Sequence, residues 1–85
     1  MTWGLLITSP AERDLRHIPP DDLKRVNITF DAMTADPYGG DTRMLRGTGG
    51  AFRRRTGNWR IVFELHAEKH LIVVLGIKRR STNTY

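Results

Sequence analysis

The chain contains no cysteine, so neither a disulfide nor a thiolate metal centre can brace it. No apolar run approaches the roughly 18 residues that a membrane-crossing helix needs. The first residues lack a basic stretch followed by a hydrophobic signal region, so a cytoplasmic location is the expectation and a membrane partner is not. Histidine, the usual acid/base at neutral pH, occurs only three times. His17 follows Arg16 near the end of a predicted helix, and His66 and His70 flank a predicted turn. None has carboxylate companions at metal-ligand spacing, so no metal or other cofactor is expected. Acid is scarce in one half of the chain. Residues 43–85 carry ten basic residues against Glu64 and Glu68, a balance of +8, whereas residues 1–42 carry four basic and seven acidic residues, a balance of −3. A mildly acidic scaffold joined to a basic surface points to nucleic acid or an acidic protein as partner.

What is present reads as one domain over residues 1–85. A chain of this length buries roughly 60–65% of its unfolded surface and has a thin stability margin. Trp3 to Thr8 is a short apolar run that predicts a strand. Ser9-Pro10-Ala11-Glu12 signals a helix start, with Ser9 as cap and Glu12 completing a capping box. Ala11, Leu15 and Ile18 keep helical spacing until Pro19-Pro20. A second helix follows from Pro20 to about Ala35, where Leu23, Val26, Phe30 and Met33 form one buried face and Asp21 and Asp22 suit the positive end of the helix dipole. Asp36 to Thr42 reads as a loop, and Met44-Leu45-Arg46 as at most a short strand. Gly47-Thr48-Gly49-Gly50 has no Lys-Ser/Thr or helix after it, so it reads as a turn or flexible arm and not as a phosphate loop.

Phe52 to Leu65 predicts a hairpin around Thr56-Gly57-Asn58. Strict alternation sends Trp59, Ile61, Phe63 and Leu65 to one face and Arg60, Val62 and Glu64 to the other. The same parity groups Arg53 with Arg55, and Phe52 with Arg54. Leu71 to Ile77, nearly all apolar, reads as a central strand buried on both faces, and Lys78-Arg79-Arg80 leads to Tyr85. The order of elements predicts an α+β domain, a two-helix hairpin packed on one face of a small, mainly antiparallel sheet. The other face is expected to be free and to display arginines.

Guanidinium groups bind phosphate bidentately and stay charged at any working pH. Arg46, Arg53, Arg54, Arg55 and Arg80 are therefore candidate RNA-binding residues, joined by the ammonium of Lys78, with Arg60, Arg79 and Tyr85 as the remaining members of the site. Such a set suits phosphodiester cleavage in which arginines stabilise the pentacoordinate transition state. It equally suits RNA binding without chemistry. Glu64 reads as an ion-pair partner of a neighbouring arginine, or alternatively as a general base.

Ala11-Glu12-Arg13-Asp14-Leu15 ending at Ile18-Pro19, then Leu45-Arg46-Gly47, then Phe52-Arg53-Arg54-Arg55-Thr56-Gly57-Asn58-Trp59-Arg60-Ile61-Val62-Phe63-Glu64, and the ending Lys78-Arg79-Arg80 through Tyr85, together resemble the RelE/ParE toxin superfamily of bacterial type II toxin–antitoxin modules, the RelE branch in particular. The resemblance implies a RelE-like fold of the microbial-ribonuclease type and ribosome-dependent cleavage of mRNA. It implies that Arg60 and Arg79 stabilise the reacting phosphate and that Tyr85 stacks or transfers a proton, with Arg53 and Arg55 as basic helpers and Arg80 as a competitor of Arg79. It further implies a cognate antitoxin, the ribosome and mRNA as partners, with operator DNA touched only indirectly through the antitoxin. One departure is Ala51, where some cleaving relatives carry lysine. The ParE branch implies inhibition of DNA gyrase instead, and a non-catalytic RNA- or antitoxin-binding module is a third reading.

Overall fold

A computed structural model describes residues 2–47 and 49–80. The elements run β1 (Gly4–Ile7), α1 (Ser9–Leu15), α2 (Pro20–Ala35), β2 (Thr42–Met44), β3 (Phe52–Thr56), β4 (Trp59–His66), a short 3-10 turn (Ala67–Lys69) and β5 (Leu71–Arg79). The strands form one sheet in the order β1-β5-β4-β3-β2. β1 pairs parallel with β5, and the other pairings are antiparallel. The helices pack on one face, which makes this the expected α+β fold.

The start of α1 differs from the expected capping box. Thr8 occupies the cap position without a side-chain cap bond. Its hydroxyl donates instead to the Val74 carbonyl at 2.8 Å, tying the β1–α1 junction to β5. α2 matches its apolar spacing, with Val26, Phe30 and Met33 buried. Between the helices and the sheet lies a core of Ala11, Ile18, Val26, Phe30, Met33, Trp59, Ile61, Phe63, Ile72, Val74 and Ile77. Gly57 turns the β3–β4 hairpin at φ 57°, a conformation that a side chain disfavours.

β5 departs from the expectation of burial on both faces. It is central, but only Ile72, Val74, Gly76 and Ile77 are buried, whereas Leu71, Val73 and Leu75 are half-buried. Helices cover one face only. The strand also carries an irregularity: Val62 pairs with Gly76 and Phe63 with Val74, so Leu75 is the extra residue. Such a bulge reverses the side-chain parity beyond it. Ile72 and Val74 face the helices before it, and Ile77 faces them after it. β2 begins at Thr42, earlier than the Met44-Leu45-Arg46 segment suggested by sequence, and Arg46 lies in the exposed turn that follows.

Candidate nucleic-acid interface

Residues directly opposite one another on adjacent strands project to the same face, so the register sorts the basic residues. Arg60 of β4 stands opposite Arg55 of β3 and Lys78 of β5. Arg53 stands opposite Val62 and Arg43. These residues share the face away from the helices. Arg80 follows Lys78 by two residues and is linked to the hairpin turn: its amide donates to the Asn58 carbonyl and its Nη1 to the Gly57 carbonyl at 3.2 Å.

The electrostatics report the same grouping. The Arg55 guanidinium titrates below its usual range chiefly because Arg53 is close, then through desolvation and through the charges of Arg80 and Arg60, with Asp41 opposing. Arg55 Nε and Arg60 Nε are both buried, and neither has a hydrogen-bond acceptor among the described residues. Like charges directly opposite across a strand pair destabilise a sheet. A tetrahedral anion between Arg55 and Arg60 would supply acceptors and offset the repulsion.

The other nominated residues are placed differently. Arg79 stands opposite Trp59, on the helix face, with its guanidinium 5.6 Å from the centroid of the indole ring. Trp59 is itself held by Asp22 of α2, which accepts from its Nε1 at 3.0 Å. The structure therefore does not set Arg79 beside Arg60, and it puts Arg80 on the Arg60 side. Arg54 stands opposite Ile61 and also belongs to the helix face. Lys78 is on the arginine face, but its ammonium pairs with Asp14 at 3.2 Å. Tyr85 lies outside the described residues. Glu64 pairs with His66 at 3.3 Å and not with an arginine. It stands four residues along β4 from Arg60, roughly 13 Å at ordinary strand rise. Ala51 is buried, so the lysine of some relatives has no exposed equivalent at that position.

Two aspartates were missed from sequence. Asp14 accepts from the Ile77 amide at 2.9 Å, capping the part of β5 that extends beyond β1. Asp41, just before β2, pairs with Arg53 at 3.0 Å. A lone acid leading into basic strands was the available signal. Among the described residues, no group of His, Asp or Glu side chains is arranged to hold a metal ion. None of the described helices is long and apolar enough to cross a membrane.

Comparison with known proteins agrees with this architecture. No family model matches the chain. The sequence is 27% identical to the toxin RelG of Mycobacterium tuberculosis over 82 residues, covering 95% of this chain and 94% of that protein. The fold superposes on a chain of the Mycobacterium tuberculosis RelBE2 toxin–antitoxin complex with a TM-score of 0.84 and 27% identity, covering 94% of this chain and 100% of the other. A chain of the archaeal RelE–RelB complex of Pyrococcus horikoshii matches with a TM-score of 0.84 at 24% identity, over 98% of this chain and 100% of that one. The chain is thus similar to the toxin RelG over nearly its whole length, and its sheet and helix pair have the shape seen in the RelBE2 complex.

Proposed function

We propose that this RelE-like toxin is an endoribonuclease that cuts mRNA on the ribosome, and that a cognate antitoxin holds it in check. The observation that carries the reading is the Arg55–Arg60 pair, opposed across β3 and β4, whose buried Nε groups have no acceptor among the described residues. A scissile phosphate seated there would gain negative charge as it becomes pentacoordinate, and fixed guanidinium donors stabilise that state more than the ground state. Arg80 is the better companion of Arg60, because it shares the arginine face and Arg79 is engaged with Trp59. Tyr85 is proposed as the stacking or proton-transferring group. The antitoxin reading draws on the solved relatives, which are toxin–antitoxin complexes. The +8 balance of residues 43–85 suits an acidic segment laid over the same face.

Primer extension on a reporter mRNA after induction of the toxin tests the reading. Cuts within translated codons, lost in Arg60→Ala, are expected. Growth arrest without cuts, accompanied by altered plasmid supercoiling, would replace it with the gyrase reading.

A further inference from the structure

Arg53 is the one nominated RNA contact whose side chain is almost fully enclosed, at 7% exposure. Its Nη1 donates to the Asp41 carbonyl at 2.9 Å and to Asp41 Oδ1 at 3.0 Å. The same carbonyl accepts the Arg55 amide at 3.1 Å. Asp41 precedes β2, whose first registered pair is Thr42 with Arg54. These contacts thus extend the β2–β3 ladder by one residue and fix the backbone of Arg55 where it stands opposite Arg60. Asp41 also lies within the field of Arg43, Arg53 and Arg55, and its carboxyl is held below the usual carboxylate range, first by the hydrogen bond from Arg53.

We propose that Arg53 and Asp41 form a positioning pair that orients Arg55 toward the RNA phosphate, and that Arg53 itself neutralises no phosphate. The inference rests on the RNA reading above and assigns the individual arginines different tasks within it. A phosphate approaching Arg53 would have to displace a carboxylate from an enclosed guanidinium. The Nε groups of Arg55 and Arg60, by contrast, have no acceptor among the described residues. Asp41 has a second effect. Its negative charge offsets the mutual repulsion of Arg43, Arg53 and Arg55, which lets Arg55 and Arg60 remain opposed.

Affinity for a single-stranded RNA oligonucleotide, measured against salt concentration, separates positioning from direct contact. Each phosphate contact on a single strand contributes about 0.7 to the slope of log affinity against log salt. Arg55→Ala is expected to lower the slope by about that amount. Arg53→Met is expected to weaken binding about tenfold with the slope nearly unchanged, and Arg53→Met with Arg55→Ala is expected to be no weaker than Arg55→Ala alone. A slope loss of about 0.7 in Arg53→Met, additive with Arg55→Ala, would overturn the proposal. Asp41→Asn removes the charge of the same pair while leaving every cation in place, so it decides the matter if Arg53→Met fails to fold. Positioning predicts weaker binding in Asp41→Asn, whereas a freed phosphate-binding guanidinium predicts tighter binding and a steeper slope. Hydrogen exchange tests the pair independently of RNA. The Arg55 amide should exchange at least about tenfold faster in Asp41→Asn, and unchanged protection would overturn positioning. A wild-type protein with no salt-dependent RNA affinity, but with this exchange effect, would sink the RNA reading and leave the structural pair standing.

Discussion

The two faces of the β3–β4 hairpin are built from alternating residues of the same strands, yet they answer to different physics. On the helix face, Trp59, Ile61 and Phe63 are buried against α2 and β5. Their contribution is area removed from water, of order 1.5–3 kcal/mol for each large side chain. On the open face, Arg55 and Arg60 stand directly opposed, flanked by Arg53 and Lys78. That arrangement costs stability while no anion is bound. The open face is itself divided. Toward the hairpin turn it is cationic, and toward β1 it turns apolar with Leu6, Leu71 and Val73, near the Glu64–His66 pair. The contrast teaches that the helix face supplies the stability on which an unfavourable cluster of charge can be displayed. The two aspartates on the margins, Asp14 and Asp41, each bind one cation, Lys78 and Arg53, and the Nε groups of Arg55 and Arg60 have no acceptor among the described residues.

The sharpest way to break this division is to exchange the consequences of the faces. Phe63→Ala on the helix face is expected to lose about 3–5 kcal/mol in urea unfolding, which is a large fraction of the stability of a domain this size. Phe63 is fully buried and stacks on Phe52 at 5.6 Å. A loss below about 1 kcal/mol would mean that the helix face is not the principal source of stability.

Arg60→Ala should do the reverse. Cleavage is expected to fall about 100- to 1000-fold, as for removal of a preorganised transition-state donor. The urea midpoint should be unchanged or slightly raised, because a like charge opposite Arg55 has gone. A variant that unfolds easily would show that Arg60 has a structural task on its face.

Arg79 and Arg80 sharpen the comparison at smaller scale. Arg79→Ala should lower stability by about 0.5–1 kcal/mol through loss of the contact with Trp59, and should leave cleavage within a few-fold of wild type. Arg80→Ala should lower cleavage by about tenfold with little effect on melting. If the two exchanged these outcomes, Arg79 and not Arg80 would stand with Arg60.

The smallest effect concerns pH. The folded-state pKa of Asp41 is depressed, so its stabilising contribution is present above the ordinary carboxylate value near 3.9 and is lost as pH falls through the lower folded value. The difference in urea midpoint between wild type and Asp41→Asn should therefore be full at pH 6 and shrink as pH drops below about 4. A difference independent of pH would show that the Asp41 charge is not what stabilises the loop.

Much of this molecule was legible from local pattern. Pro19-Pro20, the apolar spacing of Leu23, Val26, Phe30 and Met33, and the alternation from Trp59 to Leu65 are encoded within a few residues of each other. They determine where α2 lies and which face of β4 is dry. The pairing of Arg53 with Asp41 was not legible, because an ion pair between a loop and a strand depends on where the loop lands. Glu64 was expected to meet an arginine, but its side chain reaches His66, two residues along the same strand.

By itself the sequence determined the element order, the helix-covered face and the presence of an arginine-bearing face opposite. Those follow from the periodicities of helix and strand, which each residue expresses locally. Tertiary structure alone decided which of the late basic residues, Lys78, Arg79 and Arg80, join that face. Had the alternation of Ile72 and Val74 continued unbroken, Arg79 would have faced the same way as Arg60. The extra residue at Leu75 reverses the parity, turning Ile77 into the core, Arg79 onto Trp59, and Arg80 to the arginine side. A bulge is set by how two distant strands pair and by what the core must fill, so no count along β5 alone could locate it.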